Sequence, residues 1–189
     1  MKKLFTLVIV IVLHQATLRA QTAGSHKGVL QSISAIGLVN GSTGSSMMLQ
    51  STVGYSVKHT FAGLGAGLDL YKFRSVPLFL DLRQELGHKK QNIFLYGQGG
   101  YNLPWVTDQQ KNESPFSNSG YKGSWYYDAG LGYRIRINTN ALLFSAGYSY
   151  KELRTQGTEW MCSGTGCGLT DQRYRYRLPR VVVKAGWRF

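Results

Sequence analysis

Charged residues recur at every second position in parts of the sequence, as in Arg173, Arg175 and Arg177 and in Asp81, Arg83 and Glu85. Successive side chains of a β-strand point to opposite faces, so each set would lie on one face of a strand. Guanidinium groups pair with carboxylates in a bidentate geometry. The predicted chemistry is therefore charge pairing. It would serve either a network that holds the fold together, or a selective pore or ligand site.

The two cysteines, Cys162 and Cys167, are separated by small residues in the segment CSGTGC. In an exported protein this spacing indicates a local disulfide, worth about 2 kcal/mol by the loop-entropy argument. A metal site would need a neighbouring histidine or a second cysteine pair, and this segment has neither. We predict a disulfide, and neither a metal nor a cofactor.

The chain has 189 residues, a formal net charge of +13 and 43% hydrophobic residues. This hydrophobic fraction is too high for a disordered basic tail, so the charge belongs to a folded protein. Residues 1–20 have the layout of a secretory signal peptide, with Lys2 and Lys3 before an apolar run and Ala20 at the end. The run is shorter than the ~20 residues of a spanning helix, which excludes a helical membrane protein. The predicted division is a signal peptide, 1–20, and one domain, 21–189.

Two-residue alternation dominates after the signal peptide, and helical spacing does not recur over a useful length, which predicts an all-β fold. The predicted strands are 27–39, 46–57, 61–72, 76–87, 92–103, 122–137, 141–154 and 173–189. Most of them exceed the 5 to 6 residues or so that are usual in soluble proteins.

The sixth predicted strand places Trp125 on an apolar face and Asp128 and Arg134 on the opposite face. This pattern suits a soluble sandwich with the apolar face inward, or a membrane barrel with the apolar face outward. Strand length and aromatic residues at strand ends favour the barrel, as does the predicted position of the two longest connections, 104–121 and 155–172, on the same side. We predict an eight-stranded antiparallel up-and-down transmembrane β-barrel.

The last predicted strand changes the parity of its apolar residues at Pro179, which predicts a β-bulge near Pro179–Arg180. An eight-stranded barrel has an interior just wide enough for side chains to fill it, so the inward charges should form a packed network. The predicted lumenal charges are Asp69, Asp81, Arg83, Glu85, Asp128, Arg134, Arg136, Arg173, Arg175, Arg177, Arg180, Lys184 and Arg188.

The signal peptide, the eight alternating strands, the loop pattern and the ending KAGWRF resemble the small eight-stranded outer-membrane barrels of Gram-negative bacteria, of OmpX-like or OmpA-like architecture. The segment SVPLFLDLR is similar to a strand of outer-membrane barrels of the Bacteroidetes type. The resemblance implies an outer-membrane location. It also implies that Gly186, Trp187 and Phe189 form the C-terminal signal that the barrel-assembly machinery recognises.

We predict a non-enzymatic envelope protein that acts through its external loops. His26, His59 and His88 map to the periplasmic ends of strands, whereas enzymes among membrane barrels of this size act from the external face. The predicted partners are lipopolysaccharide, host surfaces or other envelope proteins, and not nucleic acid. External residues that could contact lipid phosphates are Lys72, Arg74, Lys111, Lys122 and Arg154. The alternatives are a secreted lipocalin-like binding protein and an outer-membrane lipid-modifying enzyme.

Overall fold

A computed structural model describes residues 28–86, 92–105, 117–163 and 166–189 of the chain. Within these ranges eight strands form a closed barrel, in which each strand pairs antiparallel with its neighbours in sequence and the last strand pairs with the first. This confirms the predicted all-β, antiparallel, up-and-down barrel. The predicted signal peptide, 1–20, lies outside the described residues.

The strands are β1 (Val29–Gly41), β2 (Gly44–Val57), β3 (Thr60–Asp69), β4 (Ser75–Leu86), β5 (Ile93–Pro104), β6 (Ser117–Ile137), β7 (Asn140–Ser163) and β8 (Gly166–Arg188). In the part of the chain that the structure describes, no helix is long and apolar enough to cross a membrane. We call the end of the barrel beyond which β7 and β8 project the upper end. The lower end carries Phe189 and the turns after β2 and β6.

The apolar side chains of this barrel point outward and many of its polar side chains point inward. In β8, Val181 and Val183 are 58% and 57% exposed, whereas Arg180 and Lys184 on either side of this pair are buried. This arrangement follows from the two-residue period of the strand, because alternate side chains fall on opposite faces. The polar interior is therefore where the charged residues of the alternating pattern meet.

β7 and β8 are longer than the sequence predicted. Their antiparallel pairing continues from Thr155 opposite Tyr174 as far as Ser163 opposite Gly166. The prediction of a loop over 155–172 is therefore wrong. Small and polar residues in this segment resemble a loop composition, but each strand supplies the backbone hydrogen-bond partners of the other. β6 joins this extension, since it begins at Ser117.

The predicted bulge at Pro179–Arg180 is also wrong, because β8 pairs there with β7 without a shift, Pro179 opposite Tyr150. The register of β6 with β7 shifts instead at two places, between Ser117 and Gly120 and between Gly123 and Tyr126, and we call the second the β6 bulge. Two residues of β6 stand there opposite one residue of β7, which is the arrangement of a β-bulge.

Three of the predicted lumenal charges consequently face outward. Because the alternation of β8 continues through Pro179, the inward position of Arg180 places Arg173, Arg175 and Arg177 on the outer face. The inward side chain just above Arg180 is Leu178, which is buried among apolar neighbours. Leu178 and its apolar neighbours therefore fill the inside of the upper end of the barrel. The sequence-based assignment had placed apolar residues on the outer face, and for that reason it placed the arginines beside Leu178 on the inner face.

Candidate functional site

The lumen contains three groups of paired charges at successive levels. The upper cluster is Asp69, Lys151 and Arg180; the middle cluster is Asp81, Arg83, Asp128 and Lys184; the lower cluster is Glu85, Arg134 and Arg188. Nine of the predicted lumenal residues belong to these clusters. Arg136, also predicted, lies at the exposed lower opening of the barrel.

In the upper cluster, the fully buried Asp69 pairs with two cations, Lys151 at 3.2 Å and Arg180. The Nζ atom of Lys151 also donates hydrogen bonds to the carbonyl oxygens of Tyr71 and Phe73, each at 2.9 Å. These carbonyls belong to the connection between β3 and β4. The ammonium group of Lys151 therefore ties this connection to the inside of the barrel wall.

The side chain of Tyr71 fills the space beside the upper cluster. Its ring lies 5.4 Å from the guanidinium of Arg180, and its hydroxyl accepts a hydrogen bond from the backbone N–H of Thr43 at 3.0 Å. The apolar residues packed with Tyr71 are Val39, Met48, Leu178 and Val182. The ring of Tyr71, the ion-paired side chains of the upper cluster and these apolar side chains together fill the upper part of the lumen.

The middle cluster contains two carboxylates with several donors each. Asp81 accepts hydrogen bonds from Arg83 at 2.8 Å, from Gln98 at 3.2 Å and from Thr52 at 3.3 Å. These groups lie on β2, β4 and β5, so the carboxylate connects β4 with its neighbour β5 and, past β3, with β2. Buried carboxylates are stable when their lone pairs are satisfied in this way, and strongly destabilising when they are not.

The second middle carboxylate, Asp128, pairs with Lys184 at 2.8 Å and accepts a hydrogen bond from the hydroxyl of Tyr96 at 2.8 Å. The Tyr126 hydroxyl lies 3.3 Å from the same carboxylate. Lys184 also donates to Gln98 at 3.3 Å. Because Gln98 donates to the other carboxylate of this level, the middle cluster is one connected network across the barrel.

The lower cluster surrounds Glu85, which pairs with Arg134 and with Arg188, the latter at 3.4 Å. The imidazole of His59 lies 3.9 Å from the same carboxylate and is largely exposed. A basin of about 470 Å³ opens here, and Lys58 and Arg136 also line it. The lower end of the lumen is therefore open to solvent and predominantly basic.

Lys151 was not among the predicted lumenal charges. The sequence did contain a signal for it, because Lys151 lies on the same alternating face of β7 as Ser145, Gly147 and Ser149. Sequence reasoning also missed Glu152, which points to the outer wall next to the β6 bulge. No periodicity marks this residue, because its surroundings depend on the register between β6 and β7.

Glu152 is almost completely buried although it lies on the outer wall. Its carboxylate accepts hydrogen bonds from Ser124 and Arg154, each at 3.0 Å, and lies 3.4 Å from the guanidinium of Arg175. The hydroxyl of Tyr150 donates to it at 3.4 Å. The β6 bulge allows this contact, because it brings Ser124 to face Glu152.

Above this carboxylate, three basic residues stand directly opposite one another on three neighbouring strands. Lys122 on β6 pairs in register with Arg154 on β7, and Arg154 pairs with Arg175 on β8. We call these three residues the basic row. Arg177, opposite Glu152 on β8, extends the positive charge toward the apolar part of the wall.

Below the basic row, the outer wall carries aromatic side chains and a shallow groove. The rings of Tyr127 and Tyr150 are stacked, with centroids 4.8 Å apart and planes at 12°. The groove, of about 700 Å³, has Glu152 at one end and is lined by Leu80, Gly99, Gly100, Trp125, Tyr126, Tyr127 and Tyr150. Its lining is mainly apolar.

The proposed assembly signal lies at the lower end of β8. The N–H of Phe189 donates to the carbonyl of Ser32 at 2.9 Å, which continues the pairing of β8 with β1. The rings of Trp187 and Phe189 are 6.3 Å apart, and Gly186 is paired with Ala35. Recognition of this ending by an assembly machinery stays a prediction.

Cys162 and Cys167 are opposite each other in the backbone pairing of β7 with β8. Their side chains lie outside the described part of the structure, so the disulfide stays a prediction.

Of the three histidines considered for catalysis, His59 lies at the lower end, and His26 and His88 lie outside the described residues. Within the described ranges, no group of three or more His, Cys, Asp or Glu residues could hold a metal ion.

Comparisons with known proteins agree with this architecture at the level of the fold. No protein-family model matches the sequence, and no curated protein matches it. The outer membrane protein AlkL, solved by solid-state NMR in lipid bilayers, is similar with a TM-score of 0.55 and 13% identity over 92% of this chain and 95% of that one. The outer membrane protein OprG from Pseudomonas aeruginosa is similar with a TM-score of 0.51 and 15% identity over 87% of this chain and 98% of that one. The fold of this chain is that of the small eight-stranded outer-membrane β-barrels.

Proposed function

We propose that this protein is a small integral outer-membrane barrel, closed to solutes, that presents the extension of β6, β7 and β8 at the cell surface. The observation that carries the proposal is the inverted distribution of polarity. Leu64, Leu80 and Trp125 on the outside are each at least 60% exposed, whereas Asp69, Asp81 and Asp128 inside are fully buried. An apolar outer surface is stable in lipid and costly in water.

The same distribution argues against a secreted lipocalin-like protein, which would bind an apolar ligand in an apolar interior and present a polar exterior to water. Here the central part of the lumen holds the Asp81–Arg83 and Asp128–Lys184 pairs. A ligand of that kind would have to displace paired, buried charges, which costs several kcal/mol per ion.

The orientation that we propose follows the general pattern of outer-membrane barrels, which have short periplasmic turns and longer external segments. The turns after β2 and β6 are short and lie at the lower end with Phe189, whereas the upper end carries the short turn after β1 and the long projection of β6 to β8. The lower end would therefore face the periplasm, and the projecting strands β6 to β8 would face outward. This extension would contact a surface protein, a host ligand or lipopolysaccharide. The barrel-assembly machinery would insert the protein into the outer membrane.

Closure of the lumen is supported by the side chains in and beside the upper and middle clusters. Tyr71, Lys151, Arg180 and Tyr126 are among the largest fully buried side chains. Eight-stranded barrels in general have an interior that side chains can fill. We infer that ions do not pass through the barrel, and that its role is structural and surface-directed, without catalysis.

The test combines membrane fractionation with electrical recording. The full-length protein should fractionate with the outer membrane, require detergent for extraction, and migrate faster on SDS gels before boiling than after. A freely soluble monomer would contradict the membrane location. Reconstituted in planar bilayers, the protein should give no steady conductance steps, and regular steps would contradict the closed lumen.

A further inference from the structure

We propose that the basic row, Lys122, Arg154 and Arg175, together with Arg177, binds the phosphate groups of a phosphorylated glycolipid of the lipid A type, and that the groove below holds one of its acyl chains. This inference rests on the proposed outer-membrane function, which it deepens by assigning a lipid-binding site on the outer wall. Three independent features of the described residues support it.

The first feature is an excess of positive charge at one level of the wall. Like charges directly opposite each other on neighbouring strands destabilise a sheet, and the basic row contains three such residues in register. Among the side chains that the structure describes, Glu152 is the carboxylate in ion-pair contact with the row, through Arg154 and Arg175. The four cations and the one carboxylate of this site leave a net positive charge, which an external anion can neutralise.

The second feature is the height of these cations above the apolar wall. Arg177 and Glu152 lie two residues beyond the Tyr150 level, which is about 7 Å along a strand. Tyrosine and tryptophan side chains form belts at the headgroup level of a bilayer. The stacked pair Tyr127 and Tyr150, with Trp125 beside it, marks that level here. The guanidinium groups are thus at the depth at which lipid phosphates lie.

The third feature is the groove, which begins at Glu152 and continues into the apolar wall. A side chain at Gly99 would meet no atom within 4 Å, so the space in front of Gly99 is open. Leu80, Trp125 and Tyr127 provide apolar contacts for a hydrocarbon chain. Because the groove adjoins the cations, one ligand can occupy both if it carries phosphate and acyl groups on the same molecule.

Arginine suits this ligand, because its planar guanidinium group binds phosphate oxygens in a bidentate manner. Glu152 would hold Arg154 and Arg175 in place and would reduce the net charge of the site. A phosphate bound to the row would accept hydrogen bonds from the guanidinium N–H groups that Glu152 does not use. The carboxylate therefore lowers the affinity for phosphate while it orders the site.

The test measures binding of lipid A with two phosphates to the full-length protein in detergent micelles by native mass spectrometry. R154Q/R175Q should weaken binding by about thirtyfold, from the usual contribution of two basic residues near an anionic surface. E152Q should strengthen binding, because it removes the competing negative charge. G99L should weaken it, because the new side chain fills the groove.

The control K58Q/R136Q removes two positive charges at the other end of the barrel and should leave the affinity unchanged. Lipid A without phosphates should bind the wild type more weakly, and inorganic phosphate at equal concentration should not displace the phosphorylated lipid. The inference is overturned if R154Q/R175Q binds as the wild type does, if E152Q binds more weakly, or if inorganic phosphate displaces the lipid.

Each variant is also run unboiled on SDS gels. If the wild type and the variants keep the fast mobility of a folded barrel and lipid A binding is unaffected by the substitutions, the lipid site is wrong and the barrel function stands. If the wild type lacks this mobility and is freely soluble, the proposed function itself fails.

Discussion

Asp128 on β6 and Lys184 on β8 form an ion pair of 2.8 Å inside the barrel, although β7 lies between their strands. Both side chains are buried, and Asp128 also accepts a hydrogen bond from Tyr96 on β5. This pair therefore connects parts of the wall that do not share backbone hydrogen bonds. It makes the stability of the closed barrel depend on side chains as well as on strand pairing.

Breaking this pair on one side should destabilise the barrel. K184M leaves Asp128 without its cation in the lumen, and loss of one partner of a buried ion pair costs about 3–5 kcal/mol. The free energy of unfolding, measured by urea titration in detergent or lipid vesicles, should fall by that order. D128N/K184M should lose less than the sum of the two single variants, because the remaining charge is also removed. Additive losses would contradict the pairing.

The connection between β3 and β4 should become accessible when Lys151 is replaced. Lys151 donates to two carbonyls of this connection and to the hydroxyl of Ser75, and it pairs with Asp69, so K151A removes four contacts at once. Trypsin should then cleave the folded barrel faster after Lys72 or Arg74. S75A removes one of the hydrogen bonds of Lys151 and should have a smaller effect. Equal cleavage rates in K151A and the wild type would show that Lys151 does not hold the connection.

Replacement of the terminal ring should impair insertion into the membrane. F189A keeps the backbone hydrogen bond to Ser32 but removes the ring beside Trp187. If this ring is part of the assembly signal, the amount of heat-modifiable protein in the outer membrane should fall severalfold, and F189Y should retain most of it. Unchanged outer-membrane levels of F189A would show that the ring of Phe189 is not part of the assembly signal.

Cys162 and Cys167 should form a disulfide in the exported protein. They are directly opposite each other in the β7–β8 pairing, and the chain between them is short. The unreduced protein should not react with iodoacetamide, whereas reduction should expose two thiols by mass. C162S/C167S should still insert, since the barrel strands pair without this link. Two reactive thiols in the unreduced protein would exclude the disulfide.

Much of the fold follows from the two-residue period alone. That period determined the strand class, and with strand length it determined the number of strands and the outward direction of the apolar face of the barrel. It also placed Asp81, Arg83, Asp128 and Lys184 in the lumen, because these residues lie within long, regularly alternating strands. Where a strand is regular, the two-residue period of the sequence shows on which face each side chain lies.

The tertiary structure alone decided where that regularity is interrupted and what covers each face. The bulge on β6, which the sequence pattern had suggested on β8, depends on which residues β7 presents to it. The outward facing of Arg173, Arg175 and Arg177 depends on Leu178 having apolar partners inside the barrel. Both are contacts between residues far apart in sequence, and a one-residue change of register moves every later side chain to the other face. The alternating arginines thus stand on both sides of the wall, as lumenal ion pairs below Pro179 and as the outer cations above it.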